Sequence, residues 1–284
     1  MIKDDDWLDR FTTCLTPHEL LQMVRTLYAS YSPFMPDKDL WHLLRQILPT
    51  ETVTEEILRL SGHQVINRIL MSFYHGEEVI KYYLVRDRIH KHDEITAFEI
   101  GVLNSRLDLG TINGRSYAYE IKTELDSLAK LPRQLTDYST VFEFVTVVAH
   151  QRHCQKVLSS IPEHCGIRTY HHTSDGIRFY NIRKATRSPF LNSMSQISCL
   201  SSQELRQLLQ DTGVKNIGNT RQQRVAAVLC HVPRRRINSL FKHALKRRFQ
   251  KQWQFLTDHF DDVYPIDVQT VFHSRMDPRI LYYR

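Results

Sequence analysis

Apolar and polar positions alternate along the chain in three successive textures. Through about residue 92 the apolar positions recur at helical spacing. Thr16-Pro17-His18-Glu19 reads as a helix start, with Thr16 as cap, Pro17 in the first helical position and Glu19 closing a capping box. Leu20, Leu21, Val24, Leu27 and Tyr28 then fall on one stripe. Further helices are predicted over Asp37–Leu48, Thr54–Tyr74 and Glu77–His90, with a turn near Gly76. From about Asp93 the pattern shortens. Glu99–Leu109, Ser116–Thr123, Phe142–Ala149, Gly166–His171 and Ile177–Ile182 read as strands, with one helix near Pro132–Ser139. After Pro189 the spacing is helical again. Ser201 and Glu204 form a capping-box pattern, Gly213 is a stop, and a second helix is predicted over Thr220–His231. The expected organisation is a helical region at 1–92, an α/β (α+β) core with a mostly sequential sheet at 93–190, and a helical region at 191–284.

The stretch SRLDLGTINGRSYAYEIKTELD, residues 105–126, is the most informative. Asn113-Gly114 is a hairpin signal between two strand-like runs. For Leu107 and Leu109 to share a face with Tyr119 and Ile121, paired residue numbers must add to an even sum, because a one-residue slip would send one apolar set into water. A two-residue Asn-Gly loop gives an odd sum. A three-residue loop, Ile112-Asn113-Gly114, with Gly114 left-handed and a bulge after it, is therefore expected. The even register gathers Asp108, Glu120 and Lys122 on the opposite face. Two carboxylates suit Mg²⁺, which takes one or two of them and keeps several waters. A neighbouring lysine can orient water or stabilise charge developing on a phosphate. The same residues would also make a plain cross-strand salt bridge.

Composition bounds the reading. The chain has 284 residues, 42% hydrophobic and 24% charged, as an ordinary globular protein has. No apolar run approaches a membrane span, and the opening MIKDDDW does not read as a signal peptide, so a cytoplasmic protein is expected. Cys14, Cys154, Cys165, Cys199 and Cys230 show no CxxC spacing and are expected to be free thiols. His150, His153, Cys154, His164, Cys165, His171 and His172 make a His/Cys-rich zone, but no zinc-finger spacing is present and zinc is not expected. The net charge of +7 is uneven: from Thr212 to Thr257 there is no Asp or Glu, while Arg221, Arg234, Arg235, Arg236, Lys246, Arg247 and Arg248 all lie there. A basic block beside a net-acidic remainder points to a polyanion partner, DNA above all.

Asp108, followed after eleven residues by Glu120-Ile121-Lys122, resembles the bipartite signature of the PD-(D/E)XK nuclease superfamily. The run YEIKTELDSLAKLPRQLTDYSTVFEFVTVV, residues 119–148, resembles a bacterial sce-type family assigned to that superfamily. The resemblance covers about residues 94–185 and implies a restriction-endonuclease-like mixed central sheet flanked by helices. It implies that Asp108 and Glu120 are ligands of Mg²⁺ or Mn²⁺, that Lys122 is the catalytic lysine, and that Glu99 is a further ligand, with Asp93 and Glu94 competing for that place. Gln134 and Tyr138 resemble the Gln-x-x-x-Tyr element of the RecB-like branch, and at i, i+4 they share a helix face. Leu107 stands where the superfamily often has Pro. Residues 200–229 resemble a SAP motif, a DNA-binding helical hairpin. Together these imply a metal-dependent deoxyribonuclease. The alternative is a non-catalytic DNA-binding protein on a nuclease fold. A homodimer, or a partner subunit in a larger nucleic-acid-processing system, is compatible with either. Phage defence, mobile-element function and repair all stay open as settings.

Overall fold

A computed structural model of the chain describes residues 6–173, 176–215 and 217–282. It is a mixed α+β structure with a six-stranded sheet, flanking helices and helical N- and C-terminal regions. No helix among the described residues is long and apolar enough to cross a membrane. The chain forms two compact units, one of Met1–Ile89, Ser174–Gly176 and Gln254–Arg284, the other of His90–Thr173 and Ile177–Trp253.

The first unit begins with α1 (Asp6–Cys14), α2 (Pro17–Ser30), α3 (Asp37–Ile47), α4 (Glu55–Leu58), α5 (Gly62–Phe73) and α6 (Glu77–Arg86). The Thr16–Glu19 capping box opens α2 as expected. The single helix expected over 54–74 is instead two. Ser61 caps α5 through a second capping box with Gln64, which restarts the chain after α4. Helices at Val268–Ser274 and Pro278–Tyr282 also belong to this unit.

Asp267 is buried in this unit, where it accepts hydrogen bonds from the hydroxyls of Tyr31 (2.8 Å) and Tyr282 (3.0 Å). Tyr31 also lies 3.1 Å from His63 Nδ1. Burial pushes the Asp267 carboxyl up to about 7, against the pull of those hydroxyls. A raised carboxyl means that the folded state holds a proton that the unfolded state releases at lower pH. This group's contribution is therefore greatest below the unfolded value and is lost as pH rises towards 7. Thermal melts between pH 5 and pH 8 should show this unit losing stability with rising pH, by on the order of a few kcal/mol from this group. Asp267→Asn should flatten that slope, and an unchanged slope in the variant would contradict the assignment.

The second unit holds β1 (Ile95–Val102), β2 (Ser105–Ile112), β3 (Ser116–Lys122), α7 (Leu131–Val141), β4 (Phe144–His150), α8 (Cys154–Ser160), β5 (Gly166–Thr173) and β6 (Gly176–Arg183). After the sheet come α9 (Ser193–Ser198), α10 (Ser202–Asp211), α11 (Arg221–His231) and α12 (Arg234–His259). Strand order follows the sequence, β1 to β6. β1, β2 and β3 form an antiparallel meander, and β3, β4 and β5 run parallel. The strand expected at 99–109 is really two, because the chain reverses at Leu103-Asn104, with Leu103 left-handed (φ 53°).

In the β2–β3 hairpin Leu109 pairs with Tyr119 and Ile112 with Ser116, an even sum, as burial required. The loop is Asn113-Gly114-Arg115, one residue later than expected, and Asn113 N–H donates to the Arg115 carbonyl across it. Gly114 takes the left-handed conformation (φ 88°). The loop gains its third residue on the far side of Gly114, so the parity survives while the boundary moves.

Candidate active site

Asp108 and Glu120 are opposite one another in the β2–β3 register, at the point where the paired ladder ends. The Asp108 carboxylate takes over from the ladder there, accepting the Ile121 N–H at 2.6 Å through Oδ2. Lys122 lies two residues beyond Glu120, so both side chains leave the strand on one face. Its ammonium donates to Glu120 Oε1 at 2.7 Å. Asp108, Glu120 and Lys122 are 9%, 1% and 9% exposed. Three charged groups are thus withdrawn from water together.

The helix α7 completes the cluster. Pro132, near its start, sets the first turn, and Leu131, Leu135 and Tyr138 are buried. The Tyr138 hydroxyl lies 2.8 Å from both Glu120 Oε2 and the Arg106 carbonyl, sharing its one proton between them. Gln134, one turn earlier, lies near enough to Glu120 and Tyr138 to favour the charged form of each. Its Oε1 is buried without a hydrogen-bond partner. Burial pushes the Glu120 carboxyl above the ordinary range, and Lys122, Tyr138 and Gln134 pull it back only in part. Burial and the Glu120 charge push the Tyr138 phenol up. The structure therefore brings together Asp108, Glu120, Lys122, Gln134 and Tyr138.

Glu99 is placed differently. It is opposite Asp108 in the β1–β2 register, but its backbone is left-handed (φ 52°) and its carboxylate pairs with Arg106 at 2.5 Å. Among the described residues no group of three or more His, Cys, Asp or Glu side chains is arranged to hold a metal. Asp93 and Glu94 sit at the other end of β1, where the Asp93 carbonyl accepts from Lys246 and Glu94 accepts from Asn113.

The basic residues divide into two sets. Arg247 pairs with Asp211 (2.8 Å), Arg248 grips Glu204 through two nitrogens (2.7 and 2.6 Å), and Arg221 donates to the Ser198 and Leu200 carbonyls. The stretch without acidic residues thus finds its counter-charges outside itself. Arg234, Arg235 and Arg236, at the start of α12, are exposed. The expected helical hairpin is present as α10 and α11, with Gly213 and Gly218 left-handed between them. It carries a cavity of about 780 Å³, lined among others by Arg206, Lys215, Asn219, Gln223, Arg224 and His231, with no acidic residue. Neither Asp108, Glu120 nor Lys122 lines this cavity.

In the His/Cys-rich zone, His153 donates to the Thr123 and Glu124 carbonyls, fastening the chain just after β3, while His164 bonds Ser139 at 2.8 Å. All five cysteines are free. Glu143, which no motif marks and which lies inside the strand expected at Phe142–Ala149, is a buried carboxylate that ties β3, β4 and α12 together; its one signal is a charge within an apolar run.

The family model of bacteriophage P4 protein cII matches residues 73–271, more than half of the chain. The chain belongs to that family. Protein cII of Enterobacteria phage P4 is 31% identical over 109 residues, which is 38% of this chain and 41% of that protein. The matched segment of the cII family takes in every residue of the buried cluster. No solved structure matches.

Proposed function

We propose that this cII-family protein is a metal-dependent deoxyribonuclease whose active site is Asp108, Glu120 and Lys122, supported by Gln134 and Tyr138. The observation that carries this reading is the convergence of two carboxylates and an ammonium, all nearly buried, at the end of the β2–β3 ladder. Withdrawing charges from water costs several kcal/mol per ion, and apolar packing of the same volume is often as stable or more so. Such a cluster therefore calls for a chemical role. The PD-(D/E)XK-like spacing of the same residues supports the same reading.

The donor set fits a hard divalent cation. Asp108 and Glu120 would supply carboxylate oxygens and leave the remaining positions to water and substrate, as Mg²⁺ or Mn²⁺ prefers and structural zinc does not. A cation held there would polarise the scissile phosphate and acidify a bound water. The protein's own part is positioning. Tyr138 and Gln134 orient the Glu120 carboxylate, Asp108 is fixed by the Ile121 N–H, and Lys122, with one donor on Glu120, has up to two more for water or a phosphate oxygen. The buried Gln134 oxygen is a ready acceptor for a substrate or water proton. Arg234, Arg235 and Arg236, with the α10–α11 hairpin, supply phosphate contacts that carry no sequence information.

The test is incubation of the protein with linear, nicked and single-stranded DNA in Mg²⁺, in Mn²⁺ and in EDTA. Metal-dependent strand cleavage is expected. Binding without cleavage in either metal would favour the non-catalytic DNA-binding reading.

A further inference from the structure

β6 closes one edge of the sheet and is unusual in its surface. Tyr180 and Ile182 are 47% and 46% exposed, and Arg178, two residues before Tyr180, is exposed on the same face of the strand. Tyr180 stacks on His171 of β5, with ring centroids 5.2 Å apart and planes at 14°. The face can be assigned from the ladders. Lys122 is level with Ala149, and Ala149 with Thr169. Residues level in a parallel ladder point the same way, and side chains alternate along a strand. His171, two residues beyond Thr169, thus shares the sheet face of Glu120 and Lys122, and Tyr180 shares it through the stack.

Cations also stand beside the rings: Arg178 and Lys184 are exposed, while Arg183 donates to the Cys165 and Pro162 carbonyls and Arg187 pairs with Glu143. An exposed ring braced on a second ring, with exposed cations on either side of it along the chain, is the combination that holds unpaired bases: rings stack on any base, and cations track the phosphates.

We propose that the His171–Tyr180 pair is a stacking platform for single-stranded DNA, on the sheet face that carries the active site. This deepens the nuclease reading, on which it rests for the identity of the polymer. It assigns that nuclease a substrate with unpaired nucleotides, such as a single strand, a flap or a frayed end.

The test is fluorescence anisotropy with a labelled oligothymidine and with a blunt duplex of equal length. Wild type, Tyr180→Phe, Tyr180→Ala and His171→Ala are compared in EDTA, so that binding is read apart from cleavage. Tyr180→Ala should weaken single-strand binding on the order of ten-fold, Tyr180→Phe should retain it, and duplex affinity should stay as in wild type. Melting curves check that each variant is folded, as expected for a half-exposed side chain. Wild-type affinity of Tyr180→Ala for the single strand would overturn the proposal, and so would equal loss on both DNAs. If light scattering shows that Tyr180→Ala instead dissociates a dimer, the face is a self-association surface and the proposal fails. Tyr180-dependent single-strand binding in a protein that cleaves nothing would sink the nuclease reading and leave the platform standing.

Discussion

Glu120→Gln should reduce metal-dependent DNA cleavage by on the order of a thousand-fold or more, with the fold intact. The substitution keeps the volume but leaves one acceptor oxygen where Tyr138 and Lys122 donate to two. It removes the charge that would hold a divalent cation and that balances the buried ammonium. Losses of this size are usual when a group that stabilises charge in the transition state is removed. The pH dependence has a defined sign. Burial holds the Glu120 carboxyl above the ordinary range, and metal binding needs its deprotonated form. Cleavage should therefore fall with decreasing pH from a point above the usual carboxylate range, and Tyr138→Phe should move that limb upward by removing a hydrogen bond to the charged form. A rate profile whose acid limb stays in place in Tyr138→Phe would show that Glu120 is not the titrating group.

Glu143→Ala should cost about 3–5 kcal/mol of stability. The carboxylate is 6% exposed, accepts the Ser116 N–H at 3.0 Å and pairs with Lys242 of α12 at 3.0 Å. The Glu143 N–H in turn donates to Ser116 Oγ, so the reciprocal pair begins the β3–β4 parallel ladder. Removing the side chain strands the buried Ser116 N–H and takes the counter-charge from a Lys242 side chain that is only 14% exposed, leaving its ammonium the Gly114 carbonyl. Burial raises this carboxyl, but the Lys242 and Ser116 hydrogen bonds more than offset it and leave it below the ordinary value. A depressed carboxyl stabilises the fold above its unfolded value and loses that contribution as pH falls through the folded one. The gap between wild type and variant should accordingly narrow under acid. Urea unfolding at pH 7 and at pH 3 would measure both, and a gap that widened in acid would count against the assignment.

The parts of the site that could be read from the sequence are those fixed by local rules. Hydrophobic alternation set the parity of the β2–β3 register, and with it the shared face of Asp108 and Glu120. The i, i+4 spacing of Gln134 and Tyr138 set their common helix face, and the structure turns both to Glu120. Capping boxes at Thr16 and Ser201 marked real helix starts. What escaped was either turn chemistry without its usual residues or pairing at long range. The β1–β2 reversal passes through Leu103, a left-handed residue with a β carbon, so no glycine or Asn-Gly announced it. The left-handed Glu99 likewise gave no sign that its carboxylate would go to Arg106. The basic block looked uncompensated because Glu143, Glu204 and Asp211 lie far off in sequence and meet Lys242, Arg248 and Arg247 only in the folded chain.

The most direct measurement compares wild type with Asp108→Ala and Lys122→Ala in one cleavage assay, on single-stranded and duplex DNA with Mg²⁺ or Mn²⁺. The account predicts cleavage by the wild type and none by either variant, while both keep the wild-type far-ultraviolet circular dichroism. Cleavage that persists in both variants would place the chemistry elsewhere in the molecule and contradict the assignment of Asp108, Glu120 and Lys122.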